Sequence, residues 1–330
     1  MKKCRILFNG FRHGHIYALY KKVAASEIAE AAGCIEENVQ ARNAAEAALG
    51  VKFSPNSYEE WLASDIDAVA VGSAYGDRGE VIVKALEAGK HVIADKPICT
   101  SLTQLEKIRA LCTQNSLTVA CMLDLRYLPQ SLTAKRVLDS RRLGEVRSIA
   151  FNGQHCIDYA HRPDWYFEKG MHGGTINDLA IHGIDLVRIL TGMEFVKTDA
   201  ARVWNAYADR HRDFKDSAMF MARLENDAGV LADVSYSAPS QVFSMPTYWE
   251  FRIWCERGLL AFHYTDPAVT IYEEGASTPI RIEGEASKKD YLSEFVREIH
   301  GSGHTVTENL LRSTETALLI QKVADRETQI

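Results

Sequence analysis

The stretch Cys4–Ala24, CRILFNGFRHGHIYALYKKVA, decides the fold class of this chain of 330 residues. It begins with the apolar run Cys4–Phe8, turns at Asn9-Gly10, and continues from Gly14 with the apolar spacing of a helix. A short apolar strand, a glycine turn and an amphipathic helix together form the first half of a βαβ unit. The stretch therefore predicts a parallel sheet that is covered by helices.

The same alternation continues to about residue 122. The predicted strands are Cys4–Phe8, Ile28–Cys34, Ala68–Val71, His91–Ala94 and Leu117–Cys121. The predicted helices are Gly14–Ala24, Val39–Leu49, Tyr58–Ala63, Glu80–Ala88 and Leu102–Cys112. Right-handed crossovers leave few topologies for such a chain, and the doubly wound sheet is the commonest of them. We expect residues 1–122 to form a dinucleotide-binding Rossmann domain.

Beyond Pro129 the pattern changes to clustered strands with few helices. The predicted strands are Val146–Asn152, Val196–Trp204, Ser217–Leu224, Gly229–Tyr236, Thr247–Trp254 and Leu259–Phe262. The predicted helices are Ser131–Ser140, Thr175–Leu190, Tyr291–His300 and Val306–Val323, and the last two could pack back on the first domain. Clustered strands favour an antiparallel sheet, so we expect residues 123–330 to form an α+β domain.

Composition excludes several classes of protein. A hydrophobic share of 46% with 25% charged residues is typical of a soluble globular chain, and a net charge of −6 argues against nucleic-acid binding. No apolar run approaches the ~18 residues of a membrane helix, and no signal-peptide core follows Met1-Lys2-Lys3. The seven scattered cysteines favour thiols in a reducing compartment, which predicts a cytoplasmic protein.

The loop Asn9–Gly14 follows the first strand, where a dinucleotide fingerprint would have three glycines. Alignment on Gly14 places Asn9 and Phe11 at the first two glycine positions. The Phe11 side chain could therefore occupy the space where backbone and phosphate meet. The helix N-terminus at Gly14 still favours an anion, and Arg12 and His13 could add positive charge.

Glu36 follows the second strand, where an acid would receive the ribose hydroxyls of a dinucleotide. Such a carboxylate favours NAD over NADP, because it repels the 2′-phosphate. An alternative is equally good on sequence alone: Glu36 and Glu37 could be two solvated acids at the start of a helix.

Two further motifs carry acid–base side chains. Lys96 follows the strand His91–Ala94, at the carboxyl edge where such sheets bind ligands. Asp178 and His182 are spaced i and i+4, which places both on one helical face. On sequence alone, each of these residues could instead have a structural role: Lys96 could be an ordinary loop lysine and His182 a buried structural histidine.

A loose group of possible metal ligands lies just upstream of that helix. It comprises His155, Cys156, Asp158, His161 and His172. Their spacing matches no closed zinc pattern. We therefore predict no metal site.

Together these motifs resemble the Gfo/Idh/MocA family, the glucose-fructose oxidoreductase and inositol dehydrogenase group, from Lys3 to about Ala324. The order of the motifs and their separation along the chain match the family, and so do their residues. The matching pieces are Ala85–Val92 leading into Asp95-Lys96-Pro97, where the family usually has Glu-Lys-Pro; Arg126-Tyr127-x-Pro129; and Gly173-Gly174 followed by Asp178, His182 and Asp185-Leu186.

The resemblance implies hydride transfer between a sugar or polyol carbinol and nicotinamide. Lys96 and His182 would handle the hydroxyl proton, and Asp178 would position His182 or the substrate. The implied substrate-pocket residues are Asp124, Arg126 and Trp165. The implied cofactor-binding residues are Gly10, Phe11, Arg12, His13, Gly14, Glu36, Ser73 and Lys96. The family also implies a large open sheet in the second domain, through which homodimers or homotetramers form.

Departures from the family pattern fall in the cofactor half. Asn9 and Phe11 replace glycines, Glu36 is displaced by one position, and Ser73-Ala74-Tyr75 replaces the usual Thr-Pro-Asn. Two alternatives therefore stand behind the dehydrogenase. One is a redox-neutral isomerase or lyase that uses a retained cofactor or a metal held by histidines 155, 172 and 182. The other is a non-catalytic, sugar-sensing relative.

Overall fold

The structure is a computed structural model that describes residues 2–301 and 303–326. The chain divides into two compact units. The first unit contains the residues up to Met122, together with Pro163–Gly173 and Lys289–Thr314. The second unit contains Leu123–Arg162, Gly174–Lys288 and the segment from Glu315 onward.

The strands and helices are numbered in chain order. The strands are β1 (Cys4–Asn9), β2 (Ala29–Ile35), β3 (Ala68–Val71), β4 (His91–Ala94), β5 (Val119–Cys121), β6 (Val146–Gln154), β7 (Phe195–Trp204), β8 (Ser217–Leu224), β9 (Gly229–Ser235), β10 (Phe251–Cys255), β11 (Gly258–Phe262), β12 (Ala268–Glu273) and β13 (Ile280–Glu283). The α-helices are α1 (Gly14–Ala24), α2 (Val39–Leu49), α3 (Tyr58–Leu62), α4 (Tyr75–Glu87), α5 (Leu102–Asn115), α6 (Pro129–Asp139), α7 (Ile181–Thr191), α8 (Tyr291–His300) and α9 (Thr305–Arg326).

The first unit is built on a parallel sheet, as predicted. Within the described residues its five strands lie in the order β2-β1-β3-β4-β5. The strand order reverses between β1 and β3, and ligands of doubly wound sheets bind beyond the carboxyl ends of strands at such a point. The loops that follow β1, β3 and β4 therefore define the edge at which a ligand is expected.

Backbone packing holds the first two of these loops together. Gly10 has a φ of +89°, and a Cβ added there would lie 2.6 Å from the backbone nitrogen of Ser73. The N–H of Arg12 donates to the carbonyl of Gly72 at 2.9 Å. Because only glycine combines that φ with so close an approach, Gly10 fixes the path of the loop before α1.

The second unit carries the large, mostly antiparallel sheet that the family resemblance implies. In the described part of the chain it has eight strands in the order β13-β12-β11-β10-β6-β9-β8-β7, of which the β6–β9 pair is parallel. The predicted fold class is therefore confirmed. The strands β12 and β13 are absent from the predicted set; β13 is short and exposes the charged residues Arg281 and Glu283.

One face of this sheet is buried and the opposite face is exposed. Along β8, Ala218, Phe220 and Ala222 are buried, whereas Met219 and Met221 alternate with them and are exposed. This period of two is the pattern of a sheet with one covered face. The exposed face thus presents large apolar side chains to its surroundings.

The helix that carries Asp178 and His182 differs from the single helix that the sequence predicts over Thr175–Leu190. Its first part, Ile176–Ala180, is π-helical, and α7 follows directly. The N–H of Ile176 donates at 2.9 Å to the side chain of Gln321. Such wide turns are rare, and many of them lie at functional sites. Among the described residues, no helix is long and apolar enough to cross a membrane.

Candidate functional site

A buried carboxylate, that of Asp95, connects three loops at the carboxyl edge of the parallel sheet. Its Oδ2 lies 2.7 Å from Nδ1 of His13 and its Oδ1 lies 3.0 Å from Nδ1 of His15. The backbone N–H of Lys96 donates to Oδ1 at 2.7 Å, and Nη2 of Arg78 lies 3.5 Å from Oδ2. The side chains of Asp95 and Arg78 are 0% exposed and that of His13 is 11% exposed, whereas that of His15 is 45% exposed.

Arg78 is the buried cation of this network. Its guanidinium donates to the carbonyl of Pro97 at 3.0 Å and to the carbonyl of Ser73 at 2.7 Å. It also lies 4.8 Å from the ring centroid of Tyr75. A buried carboxylate is tolerated when a cation and several N–H groups compensate its charge, and Asp95 has both.

Burial also determines the charge of the neighbouring histidine. Desolvation lowers the pKa of His13 to about 4, although the Asp95 charge acts in the opposite direction. The His13 imidazole is therefore neutral at pH 7, with its proton on Nδ1 facing Asp95. The pKa of Asp95 itself is held well below its usual range: burial raises it, but the Arg78 guanidinium and the interactions with the two histidines, including the hydrogen bond from His13, outweigh that effect.

Within the part of the chain that the structure describes, His13, His15 and Asp95 form a group that could hold a metal ion, since one ligand atom of each lies within 4.8 Å of the others. Their separations of 2.7 and 3.0 Å are those of N–H···O hydrogen bonds. The Arg78 guanidinium lies beside the same carboxylate and repels a second cation. The arrangement fits a network that orients two imidazoles.

Lys96, the predicted catalytic lysine, lies next to this network. Its side chain is buried, at 4% exposure of the residue, and its ammonium is 5.7 Å from the ring centroid of Tyr75. The Lys96–Pro97 peptide bond is cis. Backbone hydrogen bonding to Asp95 therefore holds the lysine at the carboxyl end of β4, where the sequence places it.

Trp165, a predicted substrate-pocket residue, belongs to the first unit and is buried. Its ring packs edge-on against Tyr75, with 4.9 Å between centroids, and its centroid lies 5.4 Å from that of Tyr166. The ring of His172 lies 5.9 Å from that of Tyr75. An aromatic group thus surrounds Tyr75, whose ring also contacts the cationic groups of Arg78 and Lys96.

In the predicted cofactor loop, the Phe11 side chain does not occupy the space beside the start of α1, where the sequence suggested that it could lie. The Phe11 ring is 2% exposed and packs inward. The aromatic residues around it are Phe8, Tyr17, Tyr20 and Phe53, with ring centroids 5.3 to 6.2 Å away. A Cβ added at Gly14 would meet no atom of the described chain within 4 Å. The space at the start of α1 is therefore open.

Glu36 is turned toward this loop rather than toward solvent. Its Oε2 accepts the N–H of Phe11 at 2.6 Å, and its Oε1 accepts the N–H of Asn38 at 2.8 Å. The Asn38 side chain in turn caps α2 by accepting the N–H of Ala41 at 2.9 Å. The carboxylate that was expected at the ribose is hydrogen-bonded within the protein.

In the second unit, Asp178 and His182 lie on the helical segment 176–191 and both are buried. The hydroxyl of Tyr236 donates to Oδ2 of Asp178. The His182 ring packs edge-on against Trp249, with 5.5 Å between centroids. Asp178 therefore has a phenolic hydroxyl as a partner, and His182 has an aromatic wall.

Arg126 and Asp124, two other predicted substrate residues, lie on or beside the short helical turn Leu125–Tyr127. Arg126 Nε donates to Oδ2 of Asp185 at 2.8 Å, and its Nη2 contacts the other oxygen. This bidentate pair joins two segments of the second unit. Asp124 is exposed at the start of the turn.

Sequence reasoning missed the roles of His15, Arg78, Tyr236 and Trp249. Trp249 has a φ of +46°, which is a strained conformation for a bulky residue. The Trp249 ring occupies the space where a Cβ at Gly153 would lie, since that Cβ would be 2.5 Å from the ring. A glycine inside a strand indicates such a close approach, so Gly153 was the available signal.

Two family models match the chain. The model described as the oxidoreductase family with an NAD-binding Rossmann fold matches residues 8–122, and the model of the GFO/IDH/MocA C-terminal domain matches residues 131–261. The chain belongs to the GFO/IDH/MocA family. The resemblance that the Asp95-Lys96-Pro97 and Asp178–His182 motifs suggested is confirmed, and the family is one of NAD-binding oxidoreductases.

Individual relatives share about 30% sequence identity or less with the chain over the aligned residues. Inositol 2-dehydrogenase 2 of Saccharopolyspora erythraea is 30% identical over 221 residues, which are 67% of this chain and 61% of that protein. Levoglucosan dehydrogenase of Pseudarthrobacter phenanthrenivorans is 28% identical over 166 residues, which are 48% of this chain and 42% of that protein. The matches thus span about half the length of these curated relatives. A solved structure from Thermotoga maritima has a TM-score of 0.83 at 26% identity and covers 97% of this chain and 98% of that one.

The contacts of Asp95 predict that the substitution Asp95→Asn strongly lowers the free energy of unfolding. The substitution leaves the buried Arg78 charge uncompensated, and breaking such a pair destabilises a protein by about 3–5 kcal/mol. We expect the free energy of unfolding, measured in guanidinium chloride, to fall by that amount. The exposed carboxylate of Glu80 provides the control, and Glu80→Gln should change stability by less than about 0.5 kcal/mol. Equal effects of the two variants would contradict the network.

The lowered pKa of His13 predicts a loss of stability in mild acid. An unfolded histidine binds a proton below about pH 6.5, whereas the folded His13 does so only below about 4. The unfolded state therefore binds more protons in this window, and the free energy of unfolding decreases as the pH falls through it. We expect the wild type to lose about 2–3 kcal/mol more than His13→Asn between pH 6.5 and 4. His304→Asn, at an exposed histidine, should follow the wild type; a wild type that tracks His13→Asn would refute the assignment.

Proposed function

We propose that the chain is an NAD(P)-dependent dehydrogenase of sugars or polyols. The observation that carries the proposal is the buried Lys96, which the Asp95 network holds at the carboxyl end of β4. Family membership supports it, and the inositol and levoglucosan dehydrogenases among the relatives support a ring-shaped polyol as substrate.

The residues at the start of α1 fit a dinucleotide pyrophosphate. Gly14 borders open space, Phe11 is turned inward, and Gly10 lets the loop approach the backbone of Ser73. A helix N-terminus favours an anion through its N–H groups and dipole. Gly10, His13, Gly14 and Ser73 would hold the pyrophosphate there, and Arg12 would contact the cofactor beside Glu36. The bound nicotinamide accepts or supplies the hydride.

The catalytic roles follow from side-chain chemistry. Lys96 and His182 bind the reacting hydroxyl and hold or move its proton, as a lysine and an imidazole shielded from water can do. Asp178, fixed by the Tyr236 hydroxyl, positions His182 or the substrate. Asp124, Arg126 and Trp165 remain proposed substrate-pocket residues; the Arg126–Asp185 pair favours a positioning role for Arg126.

Reduction of NAD or NADP by a panel of polyols that includes myo-inositol and levoglucosan tests the proposal. General acid–base catalysis contributes about 10²–10⁴-fold, so Lys96→Gln and His182→Asn should each lower kcat by that factor. Lys84→Gln and His161→Asn change the same residue types at exposed positions and should leave kcat within about twofold. Turnover without net cofactor reduction, or wild-type activity in both site variants, would contradict the proposal.

We further propose that copies of the chain associate through the exposed face of the large sheet. Met221 and Leu231 are cross-strand partners on β8 and β9, and their exposed fractions are 52% and 53%. Trp254 and Tyr272 are exposed on β10 and β12 of the same sheet. Apolar side chains in such numbers on one face indicate an interaction surface. A cytoplasmic location also remains a proposal, supported by the thiol state of the seven cysteines.

Light scattering of the purified chain measures this association. The wild type should show at least twice the chain mass of 36.9 kDa. Leu231→Glu should shift the mass toward that of one chain, because a carboxylate would be buried in the interface. Val39→Glu places the same charge at an exposed apolar position of α2 and should not. A wild type that already has the mass of one chain would refute the proposal.

A further inference from the structure

Glu36 has protein partners where a ribose-binding acid would have ligand partners. In doubly wound sheets an acid after the second strand receives the 2′-hydroxyl of NAD, and its charge repels the 2′-phosphate of NADP. Here the side chain of Glu36 is 3% exposed, and its two oxygens accept the N–H groups of Phe11 and Asn38. The carboxylate therefore braces the loop between β1 and α1 against the start of α2.

The Phe11 ring secures this brace. Its aromatic neighbours come from β1, from α1 and from the segment after α2. A loop that moved away from Glu36 would pull this ring out of the cluster and expose it to water. The N–H of Gly10 also donates to the carbonyl of Ile35 at 3.0 Å, which ties the same loop to the end of β2. Glu36 is thus kept in its internal position from two sides.

The guanidinium of Arg12 is a partly exposed positive charge beside the Glu36 carboxylate. Its Nη1 lies 3.9 Å from Oε1 of Glu36, and its side chain is 27% exposed. The guanidinium compensates the Glu36 charge and still presents N–H groups outward. A guanidinium is the side chain that binds phosphate through paired hydrogen bonds, and in doubly wound sheets an arginine in this region accommodates a 2′-phosphate.

We propose that Glu36 is a positioning residue for the cofactor loop and that Arg12 binds the 2′-phosphate, so that the chain accepts NADP(H) as well as NAD(H). The inference rests on the proposed dinucleotide-dependent function. It replaces the preference for NAD that the sequence suggests, because that preference requires the Glu36 carboxylate to face the ribose.

Dissociation constants of NADH and NADPH, measured by calorimetry on the full chain, test the proposal. For the wild type we expect the two constants to agree within about tenfold. Arg12→Gln should weaken NADPH by at least about tenfold and NADH by less than about threefold, since one phosphate contact is lost. Glu36→Gln should weaken both cofactors by the same factor and lower the melting temperature. Glu37→Gln, at the exposed neighbouring acid, should change none of these quantities.

Opposite results separate this inference from the function on which it rests. NADH binding at least about 100-fold tighter than NADPH, with NADPH binding gained in Glu36→Gln, would show that Glu36 reads the ribose and would overturn the inference alone. A wild type that binds neither nucleotide would overturn the proposed function as well. The wild-type ratio and Arg12→Gln decide the matter even if Glu36→Gln does not fold.

Discussion

The carboxylate of Asp95 is the group on which the candidate site depends. It accepts N–H groups from His13 just before α1, from His15 on α1 and from its own loop after β4. Arg78 joins it from α4, next to the loop after β3. A fully buried carboxylate is unfavourable unless its charge is compensated. Movement of any one partner away from Asp95 would therefore cost free energy, which keeps the partners in place. Lys96 follows Asp95 directly in the chain. Its position is therefore a consequence of this network.

Burial of the Asp95 carboxylate also determines the protonation of the histidine in the loop before α1. Asp95 keeps the His13 proton on Nδ1, and burial keeps the imidazole neutral. Glu36 holds the other side of the loop through Phe11, whose ring lies in the interior. Gly10 sets the path of this loop, and the buried carboxylates of Glu36 and Asp95 hold the loop from its two sides.

Much of the fold could be predicted because local periodicity reflects burial. The bounds predicted for α1, α2, β3, β4 and β8 coincide with those of the structure. The strand β13 was missed because it has four residues and two of them are the exposed charges Arg281 and Glu283. The strand β12 was missed because burial does not alternate along it, since Ala268 and Val269 are both buried. The π-helical turn before α7 was missed because it depends on tertiary contacts such as the one between Gln321 and Ile176, which are 145 residues apart.

The candidate site was less accessible to sequence reasoning for the same reason. Lys96, Asp178 and His182 could be proposed from motifs, but the partners of Asp95 are 80 and 82 residues away in His15 and His13. No local pattern indicates such a pairing. The sequence predicts either a ribose-binding acid or a solvated acid at Glu36, whereas the burial of its side chain becomes visible only when the inward packing of Phe11 is known.

The protonation of His13 and His15 tests the Asp95 network most directly. Nitrogen NMR of the chain labelled with ¹⁵N-histidine distinguishes protonated from bare ring nitrogens. At pH 7 we expect a proton on Nδ1 of both residues, and a bare Nε2 on His13. A bare Nδ1 on either histidine would contradict the account, because the Asp95 carboxylate would then lack the donors that compensate its burial.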